Sequence, residues 1–244
     1  MTRRDLIALS AVAAAAAGSG LPVPSNAAVD STHFPADAGK PLAPPKTGRI
    51  EVAVMVCDQA TLIDFAGPME MISSVWIQDR GATMDEQMPF HTFVVSSTTG
   101  PVSTAPGMRV VPDFTFDNAP QPNVIVVGAQ SAPPEADQWL RHASKNADVT
   151  MSVCTGAFIL ARAGLLDGLY ATTHHDSYDR FEKMYPKVRL VRGPRYVENR
   201  EISTAGGLTS GMDLALHVVE RYFGAPVKAR LAAYEEFQST PRAV

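Results

Sequence analysis

The run MSVCTGAFIL, residues 151–160, passes directly from an apolar stretch typical of a strand into a segment with helical residue spacing. Cys154 stands at the change, and Thr155 and Gly156 follow it as the small residues that a tight strand-to-helix turn needs. Unpaired N–H groups and the macrodipole at a helix N-terminus favour the thiolate. We therefore predict that Cys154 is a working cysteine with a lowered pKa; the alternative is a buried, inert cysteine at a strand end.

Four short runs rich in valine and isoleucine recur along the chain, with helical stretches between them. The runs are IEVAVMVC (50–57), FHTFVVSS (90–97), NVIVVGA (123–129) and ADVTMSVC (147–154), followed later by the shorter YATT (170–173) and ISTAGG (202–207). Such apolar runs are typical of strands buried on both faces of a parallel sheet. The predicted helices run from Pro68 in a first turn to about Gln78, from Pro133 to Lys145, from Thr155 to Ala163, from about Asp176 to Tyr185 and from about Thr209 to Tyr222.

This alternation of strands and helices predicts one doubly wound α/β sandwich. In such a sheet the ligand lies beyond the carboxyl ends of the strands, which is where Cys57, Gly128 and Cys154 fall. Three separate runs therefore indicate one crevice.

Asp64 is the second candidate site residue. It lies in TLIDFAGPMEM (61–71) among apolar neighbours, and an apolar setting raises the pKa of a carboxyl group. A carboxyl kept protonated can move protons for a neighbouring thiol. The alternative is an ordinary helix N-cap aspartate.

His174 and His175 follow the YATT run, at a position from which an imidazole can reach the strand ends. Either one of them faces the thiol, or both form a surface cluster with Asp176, and the pattern leaves the choice open. Because adjacent residues point apart and no third ligand recurs at a supporting spacing, we predict no metal site.

Composition limits the class of protein. The 244 residues are 45% hydrophobic and carry a formal net charge of −4, as in one ordinary globular domain. No cluster of Lys and Arg is dense enough for a nucleic-acid surface, so a small-molecule substrate is the predicted partner. The two cysteines, Cys57 and Cys154, lack zinc-site spacing, and a disulfide between them is possible only if both face one pocket.

The N-terminal residues have the composition of a targeting segment. Residues 1–28 contain Arg3 and Arg4 ahead of a weakly hydrophobic, Ala-rich run, which predicts a twin-arginine export signal and a periplasmic or secreted protein. The run is too short and weak for a spanning helix, so we expect no stable membrane anchor after processing; an amphipathic helix is the alternative. Residues 29–48 predict a linker or arm, and residues 49–244 the folded domain.

Three stretches together resemble the DJ-1/PfpI superfamily of class I glutamine amidotransferase-like proteins, and within it the isonitrile hydratase group. They are LIDFAGPMEM (62–71), SVCTGAFILARAGLLDGLYATTH (152–174) and ISTAGGLTSGMDLALHVVE (202–220), and the resemblance covers about residues 49–224. It implies a flavodoxin-like sandwich that forms a homodimer, with Cys154 on a nucleophile elbow and Asp64 as its acidic partner. Thr155 matches the residue after the nucleophile in hydratases, where PfpI proteases carry histidine, and His174 matches the histidine that approaches the thiol.

Two positions depart from the family pattern on the substrate or oxyanion side of the site. Gly128 and Ala129 stand where the family has two glycines, and His175 stands where hydratases usually have tryptophan. The resemblance implies hydration of isonitriles to N-substituted formamides without a metal or organic cofactor. The alternatives are another thiol-dependent hydrolase, amidase or glyoxalase-type activity, and a non-enzymatic ligand- or redox-sensing domain.

Overall fold

The computed structural model describes residues 39–45 and 48–238. The predicted export signal, residues 1–28, lies outside this part, as does most of the predicted arm. Within the described part no helix is both long and apolar enough to cross a bilayer.

Strands and helices alternate along much of the chain, but the strands between residues 90 and 127 follow one another without a helix, as do those between residues 189 and 205. The strands are β1 Ile50–Met55, β2 Phe90–Ser96, β3 Val102–Ser103, β4 Arg109–Val110, β5 Phe114–Thr115, β6 Val124–Val127, β7 Val149–Val153, β8 Tyr170–Ala171, β9 Arg189–Leu190, β10 Tyr196–Glu198 and β11 Ile202–Ala205. The helices are α1 Leu62–Ser73, α2 Met84–Gln87, α3 Pro134–Ala143, α4 Gly156–Arg162, α5 Tyr178–Met184, α6 Ser210–Phe223 and α7 Ala225–Tyr234.

Seven strands form the central sheet in the order β10-β11-β7-β6-β1-β2-β5. All neighbouring pairs are parallel except β10 with β11, which are antiparallel at one edge. β1 leads to β2 on one side, whereas β6 and β7 lie on the other, so the direction of winding reverses beside β1. Such a reversal leaves a crevice at the carboxyl ends of the strands.

Two hydrophobic layers enclose the sheet, which confirms the predicted doubly wound sandwich. On one face Val52, Val54 and Val126 pack under α1, α6 and α7, and on the other face Ala53, Met55 and Ile125 pack under α3, α4 and α5. β6 and β7 are buried along their whole length. Burial on both faces explains why these strands are continuous apolar runs rather than alternating ones.

The first helix differs from its prediction at both ends. α1 begins at Leu62 and holds Pro68 in its interior, whereas we expected Pro68 in the first turn. Because proline has no N–H, the carbonyl of Asp64 loses its usual helical partner. The helix ends at Ser73, not near Gln78, and its last turn carries a bond from the Ser73 hydroxyl to the Met69 carbonyl at 2.7 Å.

Residues after Tyr222, to which we assigned no element, form α7. Gly224 has φ +81 and separates α6 from α7, and Pro226 lies in the first turn of the new helix. At the other terminus, the described segment 39–45 lies against α6. Arg221 donates to the Lys40 carbonyl at 3.0 Å, and the Leu42 N–H donates to the Arg221 carbonyl at 2.7 Å.

Candidate active site

Cys154 occupies the turn between β7 and α4. Its φ of +58 lies in the left-handed region, which a residue with a side chain adopts only at a cost of about 1–2 kcal/mol. Two contacts hold the turn: the Cys154 N–H donates to the Gly206 carbonyl at 2.7 Å, and the Thr173 hydroxyl donates to the Cys154 carbonyl at 2.8 Å. The residue is 8% exposed, so the thiol is nearly buried just beyond the carboxyl end of β7.

Gly156 determines how closely the turn approaches the sheet. A Cβ at this position would lie 2.1 Å from the Val127 carbonyl oxygen, so only glycine allows α4 to begin directly against β6. The position after Thr155 therefore requires glycine because of the space available as well as the conformation of the turn.

We expect Gly156→Ala to lower the free energy of unfolding by about 3 kcal/mol, because the added methyl group must displace backbone rather than a flexible side chain. Urea unfolding measures the change. Gly164→Ala is the matched control: a Cβ there meets nothing within 4 Å, but φ is +78, so the cost comes from backbone conformation alone, about 1 kcal/mol. Equal losses in the two variants would contradict the steric explanation.

Asp64 lies in the first turn of α1 with no exposed surface. Its Oδ2 accepts the Ala129 N–H at 3.1 Å, and its Oδ1 is buried without a partner at full hydrogen-bonding geometry among the described residues. Gly128 makes this approach possible, because a Cβ on it would lie 2.8 Å from the Asp64 Cβ. The amide of Ala129 therefore orients the carboxylate and is not free to bind a substrate oxygen.

The thiol of Cys154 and the carboxyl of Asp64 interact directly. Burial raises the pKa of Asp64, as expected from its apolar neighbours, although the Ala129 N–H, the thiol and the charge of His174 oppose the rise. Burial and the neighbouring Asp64 raise the pKa of Cys154 to about 12, against the N–H groups of Thr155 and Leu208, which lower it.

The prediction that the Cys154 thiol has a lowered pKa is therefore wrong, although the Thr155 N–H acts in the predicted direction. Desolvation and a like charge outweigh the favourable backbone N–H groups. With a pKa of about 12 the thiol holds its proton at neutral pH, so an attacking sulfur must pass this proton to a neighbouring base, and Asp64 is the group in contact with it.

The raised pKa of Asp64 has a consequence for stability. When the folded pKa of a carboxyl exceeds the unfolded one, the folded state binds more protons between the two values, and stability falls as pH rises through that window. Asp64→Asn keeps an acceptor for the Ala129 N–H and removes the buried charge. We expect it to stabilise the protein by about 1 kcal/mol at pH 7 and progressively less as pH falls toward 4. Urea unfolding across this range measures it, and a constant or inverted difference would contradict the prediction.

The two histidines lie at the edge of the site with different exposures. The His174 ring packs on Gly207, where a Cβ would lie 2.2 Å from its Cδ2, and its charge acts on Asp64. Its Nδ1 accepts the Asp176 N–H at 3.3 Å, so the neutral ring carries its proton on Nε2. The His175 side chain is 54% exposed, with Nε2 3.1 Å from Asp176 Oδ1. His174 is thus the histidine directed to the acid–thiol pair.

One premise of the metal prediction is wrong, because the adjacent histidines do not point apart. Their rings stack with centroids 4.4 Å apart, and one donor atom each of His174, His175 and Asp176 lies within 4.8 Å of the others. The His175–Asp176 ion pair and the Asp176 N–H to His174 hold the three side chains together.

The two cysteines are free and lie in separate hydrophobic layers. Cys57 packs in the layer under α3 and α4, whereas Cys154 belongs to the layer under α1 and α6. Burial raises the pKa of Cys57 to about 11. The sheet thus separates the thiols, and the condition for a disulfide, that both face one pocket, is not met.

One contributor to the site was not predicted. The N–H of Leu208, in the loop between β11 and α6, lowers the pKa of both the Cys154 thiol and the Asp64 carboxyl. The paired glycines just before it were the available signal for a backbone group approaching the site.

The fold and site define a doubly wound, flavodoxin-like α/β protein with a cysteine on a strand-to-helix elbow and a buried carboxyl beside it. A model of the DJ-1/PfpI family matches residues 50–221, and the chain belongs to this family.

Three relatives show how broad the family is. The chain is 28% identical to an isonitrile hydratase of Pseudomonas putida over 201 residues, 79% of this chain and 80% of the relative. It is 31% identical to the HTH-type transcriptional regulator CdhR of Pseudomonas aeruginosa over 144 residues, 57% of this chain but 43% of the regulator, so it spans less than half of that protein. A crystal structure of a ThiJ/PfpI family protein from Pseudomonas syringae matches with a TM-score of 0.67 at 25% identity, covering 81% of this chain and 78% of the other.

Proposed function

We propose that this protein is a cysteine-dependent hydratase that converts isonitriles to N-substituted formamides. The observation that carries the proposal is the buried Cys154–Asp64 pair, in which a thiol and a carboxyl group are in contact and burial raises the pKa of both. Thr155 after the cysteine and the similarity to an isonitrile hydratase over most of both chains support this choice of substrate.

The first half of the proposed reaction makes a covalent intermediate. The Cys154 sulfur adds to the terminal carbon of R–N≡C while its proton passes to Asp64. The protonated carboxyl then donates this proton to the same carbon, which gives the thioimidate R–N=CH–S–Cys and returns Asp64 to its ionised form. A carboxyl with a raised pKa suits both directions of transfer.

The second half releases the product. Asp64 takes a proton from water as the oxygen adds to the thioimidate carbon and passes it to the nitrogen, which gives R–NH–CH(OH)–S–Cys. The C–S bond then breaks as the hydroxyl proton passes through Asp64 to the sulfur, and R–NH–CHO leaves. The Thr155 and Leu208 N–H groups lower the pKa of the Cys154 thiol and so stabilise negative charge on the sulfur. The loop at Gly128 and Ala129, which we placed on the oxyanion side of the site, instead orients Asp64.

The test is product identity in water enriched in oxygen-18. We expect one labelled oxygen in each formamide formed from alkyl or polar-substituted isonitriles; the polar members are included because His175 places an imidazole at the edge of the site. Methylglyoxal and simple amides are tested in parallel as alternative substrates. Turnover of either without formamide would overturn the proposal in favour of a glyoxalase-type or amidase activity.

A ligand- or redox-sensing role is the second candidate, because the chain is also similar to part of a transcriptional regulator. The raised pKa of Cys154 speaks against peroxide sensing, since the thiolate is the form that peroxide oxidises. Peroxide treatment followed by intact mass tests it: rapid sulfinic acid formation at Cys154 together with no turnover would favour the sensor.

A further inference from the structure

Ring nitrogens of two adjacent histidines face one carboxylate shortly after β8. His174 Nδ1 lies 3.8 Å from Asp176 Oδ2, and His175 Nε2 lies 3.1 Å from Asp176 Oδ1. Within the part of the chain that the structure describes, these three residues are the one group of histidine, cysteine and acidic side chains whose donor atoms all lie within 4.8 Å of one another. Two imidazoles and a carboxylate therefore come together in three consecutive residues.

The two sides of the His174 ring face different surroundings. The side with Cδ2 and Nε2 packs against Gly207, beside the active site, where a Cβ on the glycine would lie 2.2 Å from Cδ2 and 2.9 Å from Nε2. The Nδ1 side faces Asp176 instead and accepts its N–H at 3.3 Å. A ring nitrogen that accepts a hydrogen bond carries a lone pair, and such a nitrogen can also bind a metal ion.

The spacing of the three donors is close to what a metal ion requires. At a tetrahedral zinc ion, with bonds of about 2.0–2.2 Å, neighbouring donor atoms are about 3.3 Å apart. The His175–Asp176 contact of 3.1 Å already has this spacing, and the remaining donor has to approach by at most about 1.5 Å. Because the side chains of His175 and Asp176 are 54% and 76% exposed, they are free to rotate and close this gap.

The donor types select a class of ion. Imidazole nitrogen suits Zn²⁺, Co²⁺, Ni²⁺ and Cu²⁺, whereas Ca²⁺ and Mg²⁺ prefer sites built from oxygen alone. Three protein ligands also leave a fourth position for water, which a site at the protein surface can supply. Two imidazoles with one carboxylate therefore favour a transition-metal ion over calcium or magnesium.

We propose that His174 Nδ1, His175 Nε2 and a carboxylate oxygen of Asp176 form a binding site for one divalent transition-metal ion of the zinc type. The prediction of no metal site assumed that the two histidines point apart, and their stacked rings remove that assumption. The proposed hydration does not require this ion, so metal binding and turnover are tested independently.

Titration of the metal-free full chain with Zn²⁺ measures the site. After treatment with EDTA and buffer exchange, isothermal titration calorimetry at pH 7 should give one equivalent of Zn²⁺ per chain. His175→Ala and Asp176→Asn should each weaken binding by about 100-fold or more, because loss of a contact that merely supports a ligand already costs about 10- to 100-fold. Circular dichroism checks that both variants are folded. Unchanged affinity in either folded variant would overturn the proposal.

His91→Ala is the matched control. His91 is also an exposed histidine in an ion pair, with Nδ1 2.8 Å from Glu51 Oε2 and a side chain that is 46% exposed, but it lies on β2. Its removal should leave the affinity for Zn²⁺ within about twofold of the unmodified protein. Titrations with Ca²⁺ and Mg²⁺ test the class of ion, and neither should bind. Binding of either one without binding of Zn²⁺ would contradict the proposed class.

Cobalt substitution tests whether the ion binds the catalytic thiol instead. Co²⁺ held by imidazole and carboxylate absorbs in the visible region, whereas a thiolate ligand adds a strong charge-transfer band in the near ultraviolet. We expect the visible bands alone, with the same spectrum in Cys154→Ser. A thiolate band that disappears in Cys154→Ser would assign the ion to the cysteine and reject the proposed site. A chain that binds Zn²⁺ as expected but forms no formamide would sustain the metal site and reject the hydratase.

Discussion

Cys154→Ala is expected to reduce formamide formation from an alkyl isonitrile by about 10³-fold or more, because the sulfur forms the covalent intermediate and no other group in the site can replace it. Initial rates followed by mass detection of the formamide measure the loss. Cys154→Ser should be almost as inactive, since a hydroxyl beside Asp64 is a far weaker nucleophile, and it preserves the packing of the turn.

Cys57→Ser is the matched control for these variants. Cys57 is as buried as Cys154 but lies in the other hydrophobic layer, where the Ser96 hydroxyl contacts its sulfur at 3.9 Å. Its activity should stay within about twofold of the unmodified protein if the variant remains folded, as checked by circular dichroism. Full formamide production by Cys154→Ala would exclude covalent catalysis by this thiol.

Asp64→Asn is expected to change turnover and thiol reactivity in opposite directions. An amide cannot accept the thiol proton or deliver it to carbon, so formamide formation should fall about 10²- to 10⁴-fold, the usual contribution of general acid–base catalysis. The Asp64 carboxylate, after burial, is what raises the pKa of Cys154. Its removal should therefore lower the thiol pKa and make alkylation by iodoacetamide faster at pH 7.

The pH profile of alkylation and the initial rate of hydration, measured on one preparation, separate these two effects. A variant whose alkylation also slows would show that Asp64 activates the thiol as a base even toward iodoacetamide. Cys57→Ser serves as the control here, because it leaves both Asp64 and Cys154 in place, and both of its rates should match those of the unmodified protein.

The sheet and the elbow could be predicted because their causes are local. β6 and β7 are continuous apolar runs since both faces are covered, and Gly156 follows the cysteine because the Val127 carbonyl leaves no room for a side chain. Residues close together in sequence carry these signals.

What could not be predicted depends on contacts between distant parts of the chain. The raised pKa of Cys154 arises from burial and from Asp64 in α1, so the local features of the helix N-terminus pointed in the wrong direction. Likewise, the left-handed φ of Leu208 has no signature in a leucine, and the stacking of His174 on His175 depends on the turn that follows them.

The placement of Cys57 and Cys154 in separate hydrophobic layers also limits the ways in which oxidation can inactivate the protein. With a β-sheet between the two sulfurs, the folded chain cannot inactivate itself by closing an internal bridge, in a reducing compartment or an oxidising one. Damage to Cys154 must come from a small molecule that enters the crevice, such as peroxide, or from a mixed disulfide with a foreign thiol. Both modifications add mass to the chain, and simple reductants reverse the mixed disulfide. Intact-mass measurements before and after reduction therefore show which modification Cys154 carries.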